Sequence, residues 1–84
     1  MYEYIIGKIS NFYGKIGVVV IKLSHDIKVG DLLHFKGDNY DFEQKITSLQ
    51  LNHEEVTSAK IGDSVGIKLN SAVKVDNLVF KIEE

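Results

Sequence analysis

The sequence predicts an all-β domain, either a sandwich or a barrel, on three observations. Glycines at 7, 14, 17, 30, 37, 62 and 66 interrupt every window long enough for three helical turns, and each interior glycine costs a helix about 1 kcal/mol. β-branched and aromatic residues alternate with polar ones at the two-residue period of a strand. A phrase also recurs: "IKVGDLLHF" at 27–35 returns as "AKIGDSVGI" at 59–67 and as "VKVDNLVFK" at 73–81. Proline is absent, so glycine, asparagine and aspartate must make the turns.

Seven strands follow along the chain. The first two, Tyr2–Ile9 and Gly17–Leu23, are apolar on both faces. Alternation directs Ile5, Gly7 and Ile9 into the core beside Val19, Ile21 and Leu23, and leaves Tyr4, Ile6, Val18 and Val20 outward. In Leu32–Lys36, Leu33 and Phe35 face inward and His34 outward. Phe42–Leu51 and Glu55–Thr57 come next. Ser64–Leu69 has the cleanest pattern, with Val65, Ile67 and Leu69 inside and Ser64, Gly66 and Lys68 in water. In Asn77–Ile82 the analogy with the earlier copies puts Val79 inside, whereas alternation puts Leu78, Phe80 and Ile82 there. Three large residues outweigh one, so alternation is preferred.

The recurring phrase reads as a corner. In Lys28-Val29-Gly30-Asp31 the glycine supplies a positive φ at little steric cost, and the carboxylate can accept hydrogen bonds from nearby amides. Gly62 and Asp63 repeat the device. In the third copy Asp76 and Asn77 stand instead, and both tolerate left-handed backbone. These aspartates have no partner histidine or carboxylate at fixed spacing, so a structural role is expected for them.

Size and composition narrow the function classes. Eighty-four residues make one domain, 1–84, with no room for a second core. With 44% hydrophobic residues the chain is not of disordered composition. There is no cysteine, hence neither a disulfide nor a thiolate zinc site; small size without such staples suits a reducing interior, and a cytoplasmic location is expected. The longest apolar run, Val18 to Ile21, is far short of a membrane span, and the first residues do not read as a signal peptide. Net charge is −2, and all ten basic residues are lysine. That disfavours base readout and bidentate phosphate grip, both of which usually use arginine.

The stretches "IGVVVIKLSHDIKVGDLLHFKG" and "VTSAKIGDSVGIKL" resemble the second domain of translation-factor GTPases such as elongation factor Tu and initiation factor two. "FYGKIGVVVIKL" and "DFEQKITSLQ" are similar to small stand-alone translation elongation factor-like proteins. A similar barrel is appended to some collagenase-like peptidases. The resemblance implies a closed six- to seven-stranded antiparallel Greek-key-type β-barrel that binds ribosome, rRNA or tRNA. The GTPases' phosphate loop is missing, so no GTP binding is expected, and Lys15-Ile16-Gly17 stands where the factors carry Gly-Arg-Gly.

No cofactor, metal or catalytic residue is expected. His25, His34 and His53 lack zinc spacing and are read as solvated; Asp38, Asp41 and Glu43 are read as an exposed rim. Two features remain. Lys8, Phe12, Tyr13, Lys15 and Lys22 could form a cationic aromatic platform for single-stranded nucleic acid, unless Phe12 plugs one end of the barrel with Tyr13 lying over it. Tyr4, Ile6, Val18 and Val20 could form an apolar face for a protein partner or self-association, unless the chain itself covers it. The first reading makes a non-catalytic RNA- or ribosome-associated module. The alternative is a protein-interaction or accessory domain docking through its apolar hairpin, like the peptidase-linked barrels.

Overall fold

The structure, a computed structural model, describes residues 2–83. Its ten strands are β1 (Tyr2–Tyr13), β2 (Val18–Leu23), β3 (Ile27–Lys28), β4 (Leu32–Lys36), β5 (Asp41–Lys45), β6 (Leu49–Leu51), β7 (Glu54–Val56), β8 (Ser58–Ala59), β9 (Ser64–Lys68) and β10 (Leu78–Glu83). The fold is all-β, with no helix among the described residues and so none to cross a membrane. Every ladder is antiparallel. One sheet runs β5-β4-β10-β1-β2-β9-β6-β7, and β3 pairs with β8.

The chain itself forces this sheet to curl. Laid flat, β5 and β6 would stand six inter-strand gaps apart, or about 29 Å. Only residues 46–48 separate them in sequence, and four Cα steps span at most about 15 Å. What alternation presents as one strand, 42–51, is therefore a bent segment that serves both ends of the sheet. The two end strands, β5 and β7, do not pair with each other, so the sheet is not closed into a barrel. Across the seam the Gln44 side chain donates to the Lys68 carbonyl (2.7 Å) and accepts from the Asn70 amide (3.1 Å). Inside lie Ile6, Ile9, Val19, Ile21, Leu23, Leu33, Phe35, Val65, Ile67 and Val79, all essentially without exposure.

The recurring phrase builds three equivalent corners. Gly30, Gly62 and Asp76 have φ of 98°, 94° and 76°. In each turn the fourth residue's amide bonds the lysine carbonyl: Asp31 to Lys28 (3.1 Å), Asp63 to Lys60 (3.0 Å) and Asn77 to Lys74 (3.4 Å). This is type II chemistry. Each corner then exchanges two backbone bonds with one buried apolar residue. Gly30 donates to Ile46, which donates back to Asp31; Gly62 and Asp63 do the same with Leu23, and Asp76 and Asn77 with Ile9, all at 2.8–3.0 Å.

The acids complete the turn. Asp31 accepts from the Lys28 amide (2.9 Å) and Asp63 from the Lys60 amide (3.0 Å). In the third corner the Tyr40 hydroxyl takes that part, accepting from the Lys74 amide (3.3 Å) and from Asn77 Nδ2 (2.6 Å).

Two strand phases differ from expectation. Ile6 is wholly buried and Ile5 is 46% exposed, because β1 is bulged against β10: Ile5 pairs Phe80 and Gly7 pairs Val79, leaving Ile6 as the extra residue. A second bulge lies between Ile9 and Asn11 against β2. In β10 it is Val79 that enters the core, while Leu78 is 40% exposed. The register against β4 explains this. Val79 stands opposite inward Phe35, Lys81 opposite inward Leu33, and Phe80 opposite outward His34. The row Leu78–Phe80–Ile82 does share a face, but it is the outer one; of the three only Ile82, at 9% exposure, is buried as expected.

An inward lysine is what misleads alternation here. Lys81 is 9% exposed and Asp31 6%, and their side chains meet at 3.3 Å. Burial pushes the Asp31 carboxyl up, but hydrogen bonds from Lys28 and the Lys81 charge outweigh it and hold it below the usual carboxylate range. Burial likewise lowers Lys81, yet the hydrogen bonds it donates to Tyr4, Glu83 and Asp31, and the Asp31 charge, leave its ammonium above the usual lysine value.

Candidate functional site: a neutral groove on the outer face

Strand pairing brings one set of outward residues together. Tyr13 stands opposite Val18, Val18 opposite Lys68, Val20 opposite Gly66, and Gly66 opposite Gln50. The result is an open groove of about 310 Å³ whose lining includes Tyr13, Ile16, Val18, Val20, Gln50 and Gly66. Val18 and Val20 are half-buried, while Ile16 is 63% and Tyr13 49% exposed. None of the lining residues is Lys, Asp or Glu, in a chain of which 26% is charged.

Local chemistry shapes each wall. The floor is low because Gly66 has no side chain; a Cβ there would make ordinary contact with Val18 Cγ1 at 3.4 Å. One wall is the β6–β7 turn, where Asn52 and His53 both have positive φ (54° and 67°). That is the pattern of a type I′ hairpin. Histidine there carries left-handed strain that glycine would not.

The residues singled out from sequence are thus partly assembled. Tyr13, Val18 and Val20 line one groove. Ile6 does not join them: the bulge turns it into the core, which removes it from any partner surface. Tyr4 lies elsewhere, half-buried with its ring 4.8 Å from that of His25. Phe12 packs against the core cluster. Lys8 and Lys22 stand opposite each other on the outer face, Lys8 at 3.9 Å from Asp76 and Lys22 donating to the Gly62 carbonyl (2.7 Å). Lys15 is exposed. Ile16, Gly66 and Gln50 were not expected at a site, and His53 was read only as a solvated histidine; the outward half of the Ser64–Leu69 alternation was the available signal for Gly66.

His34 is not simply solvated. Its side chain is 12% exposed, with Nδ1 on a Glu3 carboxylate oxygen and Nε2 2.5 Å from Asp41 Oδ1. Asp38, Asp41 and Glu43 are exposed, as expected of a rim, but Asp41 is also bonded to His34. Among the described residues no group of three or more His, Asp or Glu side chains is placed to hold a metal ion.

No protein-family model matches the chain. It is similar to the Methanocaldococcus jannaschii protein named "Uncharacterized protease MJ0090", 40% identical over 80 residues that cover 94% of this chain. The chain spans about one fifth (20%) of that relative's length. The C-terminal domain of a Geobacillus thermoleovorans protein described as a U32 peptidase has a similar fold. Its crystal structure superposes with a TM-score of 0.87 at 18% identity, over 94% of this chain and 92% of that one. The selenomethionine variant of that domain superposes with a TM-score of 0.85, over 90% and 96%. The likeness to translation factors is thereby corrected, together with the ribosomal, tRNA and RNA-binding role it implied: the relatives are peptidase-type proteins. The misreading has a physical origin. The motif that carried the likeness is the Lys-x-Gly-Asp corner and its following strand, which this architecture uses twice, with Lys74-Val75-Asp76-Asn77 making the third corner. It reports the backbone and not the lineage.

Proposed function

We propose that this chain is a non-catalytic accessory module that packs against the body of a U32-type peptidase through the neutral groove of β1, β2, β9 and β6. The observation that carries the reading is the 40% identity across 94% of this chain to one fifth of a protease. A segment of that kind accompanies a larger body. The fold shared with a domain described as the C-terminal part of a U32 peptidase supports it further.

The groove suits such contact. Its apolar floor and its walls, which carry no lysine or carboxylate, exchange water for apolar surface without stranding an ammonium or carboxylate, and Tyr13 and Ile16 stand out as anchors. In this reading residues 1–84 act as one domain in the cytoplasm, with neither GTP nor another cofactor. Substrate cleavage belongs to the peptidase body.

The test is reconstitution in trans. The M. jannaschii protease lacking its matching segment is co-expressed with this chain. The two should co-purify at 1:1 with an affinity on the order of micromolar or better, and Ile16→Asp should weaken it at least tenfold. Absence of any complex, or peptide hydrolysis by the chain alone, would refute the proposal. Self-association through the same groove, seen as a concentration-dependent dimer, would also contradict it.

A further inference from the structure

The cluster around His34 has a property beyond the docking role. His34 sits on β4 with Phe80 of β10 on one side and Glu43 of β5 directly opposite on the other. Its two ring nitrogens each face a carboxylate, Glu3 reaching across from β1 and Asp41 from the start of β5. A neutral imidazole has one N–H and can donate only once. Satisfying both acceptors requires the imidazolium, because a bare ring nitrogen against a carboxylate oxygen repels.

We propose that Glu3, His34 and Asp41 form a proton-dependent clasp that fastens the edge strand β5 to β4 and to the start of β1, and that releases Asp41 as the histidine loses its proton. Asp41 is the arm that leaves, since its side chain is 65% exposed against 36% for Glu3. The surroundings reinforce the charge requirement. Glu43, opposite His34 in the β4–β5 ladder, is acidic. Lys36 and Lys45 are the cations of this face, but Lys36 lies over the Phe80 ring (5.1 Å) and Lys45 opposes Leu32, two residues from His34. β10 presents Phe80 and Ile82 here and no titratable group; its Lys81 is turned inward to Asp31.

The direction of titration agrees with the geometry. The Asp41 hydrogen bond raises the His34 pKa, burial opposes it, and Glu3 adds to the rise, leaving it above the ordinary imidazole value. The clasp is therefore complete below about pH 6.5, the unfolded-chain value, and is lost as pH rises through the folded-state pKa.

The experiment follows the ring nitrogens of His34 by ¹⁵N NMR and the β5 amides by hydrogen exchange on the intact chain between about pH 5 and 9, a window chosen to bracket the histidine range. Both nitrogens should be protonated at the acid end. Across the His34 midpoint, protection of residues 42–45, corrected for intrinsic exchange, should fall several-fold while β2 and β9 amides hold theirs. Asp41→Asn should lower the midpoint and abolish the step; Glu3→Gln should lower the midpoint but retain it. A neutral His34 at pH 6, or β5 protection that ignores its titration, would overturn the proposal.

Discussion

Replacing Gly62 by alanine isolates the energetics of one corner. A Cβ built there meets nothing within 4 Å, so no clash contributes. What remains is the backbone: φ at Gly62 is 94°, and the reciprocal bonds with Leu23, 3.0 and 2.8 Å long, hold it there. Left-handed backbone costs a residue with a Cβ about 1–2 kcal/mol. For a domain of this size that lowers Tm by roughly 4–16 °C, taking about 4–8 °C per kcal/mol.

The third corner supplies the control, because Asp76 already accepts the strain at φ 76°. Asp76→Gly relieves up to about 1 kcal/mol of it, returns about half of that through a looser unfolded chain, and gives up only a 3.9 Å contact with Lys8 between exposed side chains. It should be neutral or slightly stabilising. The assay is thermal and urea unfolding of both variants beside wild type. A neutral Gly62→Ala, or a loss above about 1 kcal/mol in Asp76→Gly, would refute the equivalence of the corners.

Other outcomes follow from the same contacts. Gly7→Ala should cost about 2–3 kcal/mol by overpacking, since its Cβ would lie 2.6 Å from both Ile21 Cγ2 and the Lys22 carbonyl, whereas Gly66→Ala should unfold at or above the wild-type temperature. Asp31→Ala strands the buried Lys81 ammonium with Glu83 as its remaining acid partner and should cost about 3 kcal/mol in chemical denaturation. Because the folded Asp31 pKa is depressed, its contribution is full above about pH 4 and disappears as pH falls through the folded value; wild type and Asp31→Asn should therefore converge in stability at low pH. Leu33→Ala should lose about 2–5 kcal/mol, as a fully buried leucine does.

Much of the architecture was legible because its cause is local. A glycine followed by an acid at the start of an alternating strand specifies a corner from nearest neighbours alone, and the second copy assigns Val65 and Ile67 to the core without ambiguity. Lys74-Val75-Asp76-Asn77 was legible as a turn for the same reason. What escaped depends on pairing between distant strands. "Ile5-Ile6-Gly7" offers two isoleucines for one inward position, and only the register with Phe80 and Val79 makes Ile6 the bulged residue. The glycine beside it was the clue, since glycine within a strand often marks a bulge or a close approach. Lys81 defeated alternation because its buried partner, Asp31, lies fifty residues away. Among the site residues, Val18 and Val20 could be read as outward, and Tyr13 as available. That they share a groove with Gly66 and Ile16 depends on β9 lying beside β2, which no local pattern encodes.

The docking claim is tested most directly by hydrogen exchange on this chain, free and in complex with the co-expressed peptidase body. Amides of residues 13–20 and 64–67 should gain protection on association, and Ile16→Asp, at a position 63% exposed, should erase that gain. Protection that falls instead on β4, β5 or the β3–β8 pair, with residues 13–20 unchanged, would contradict the account.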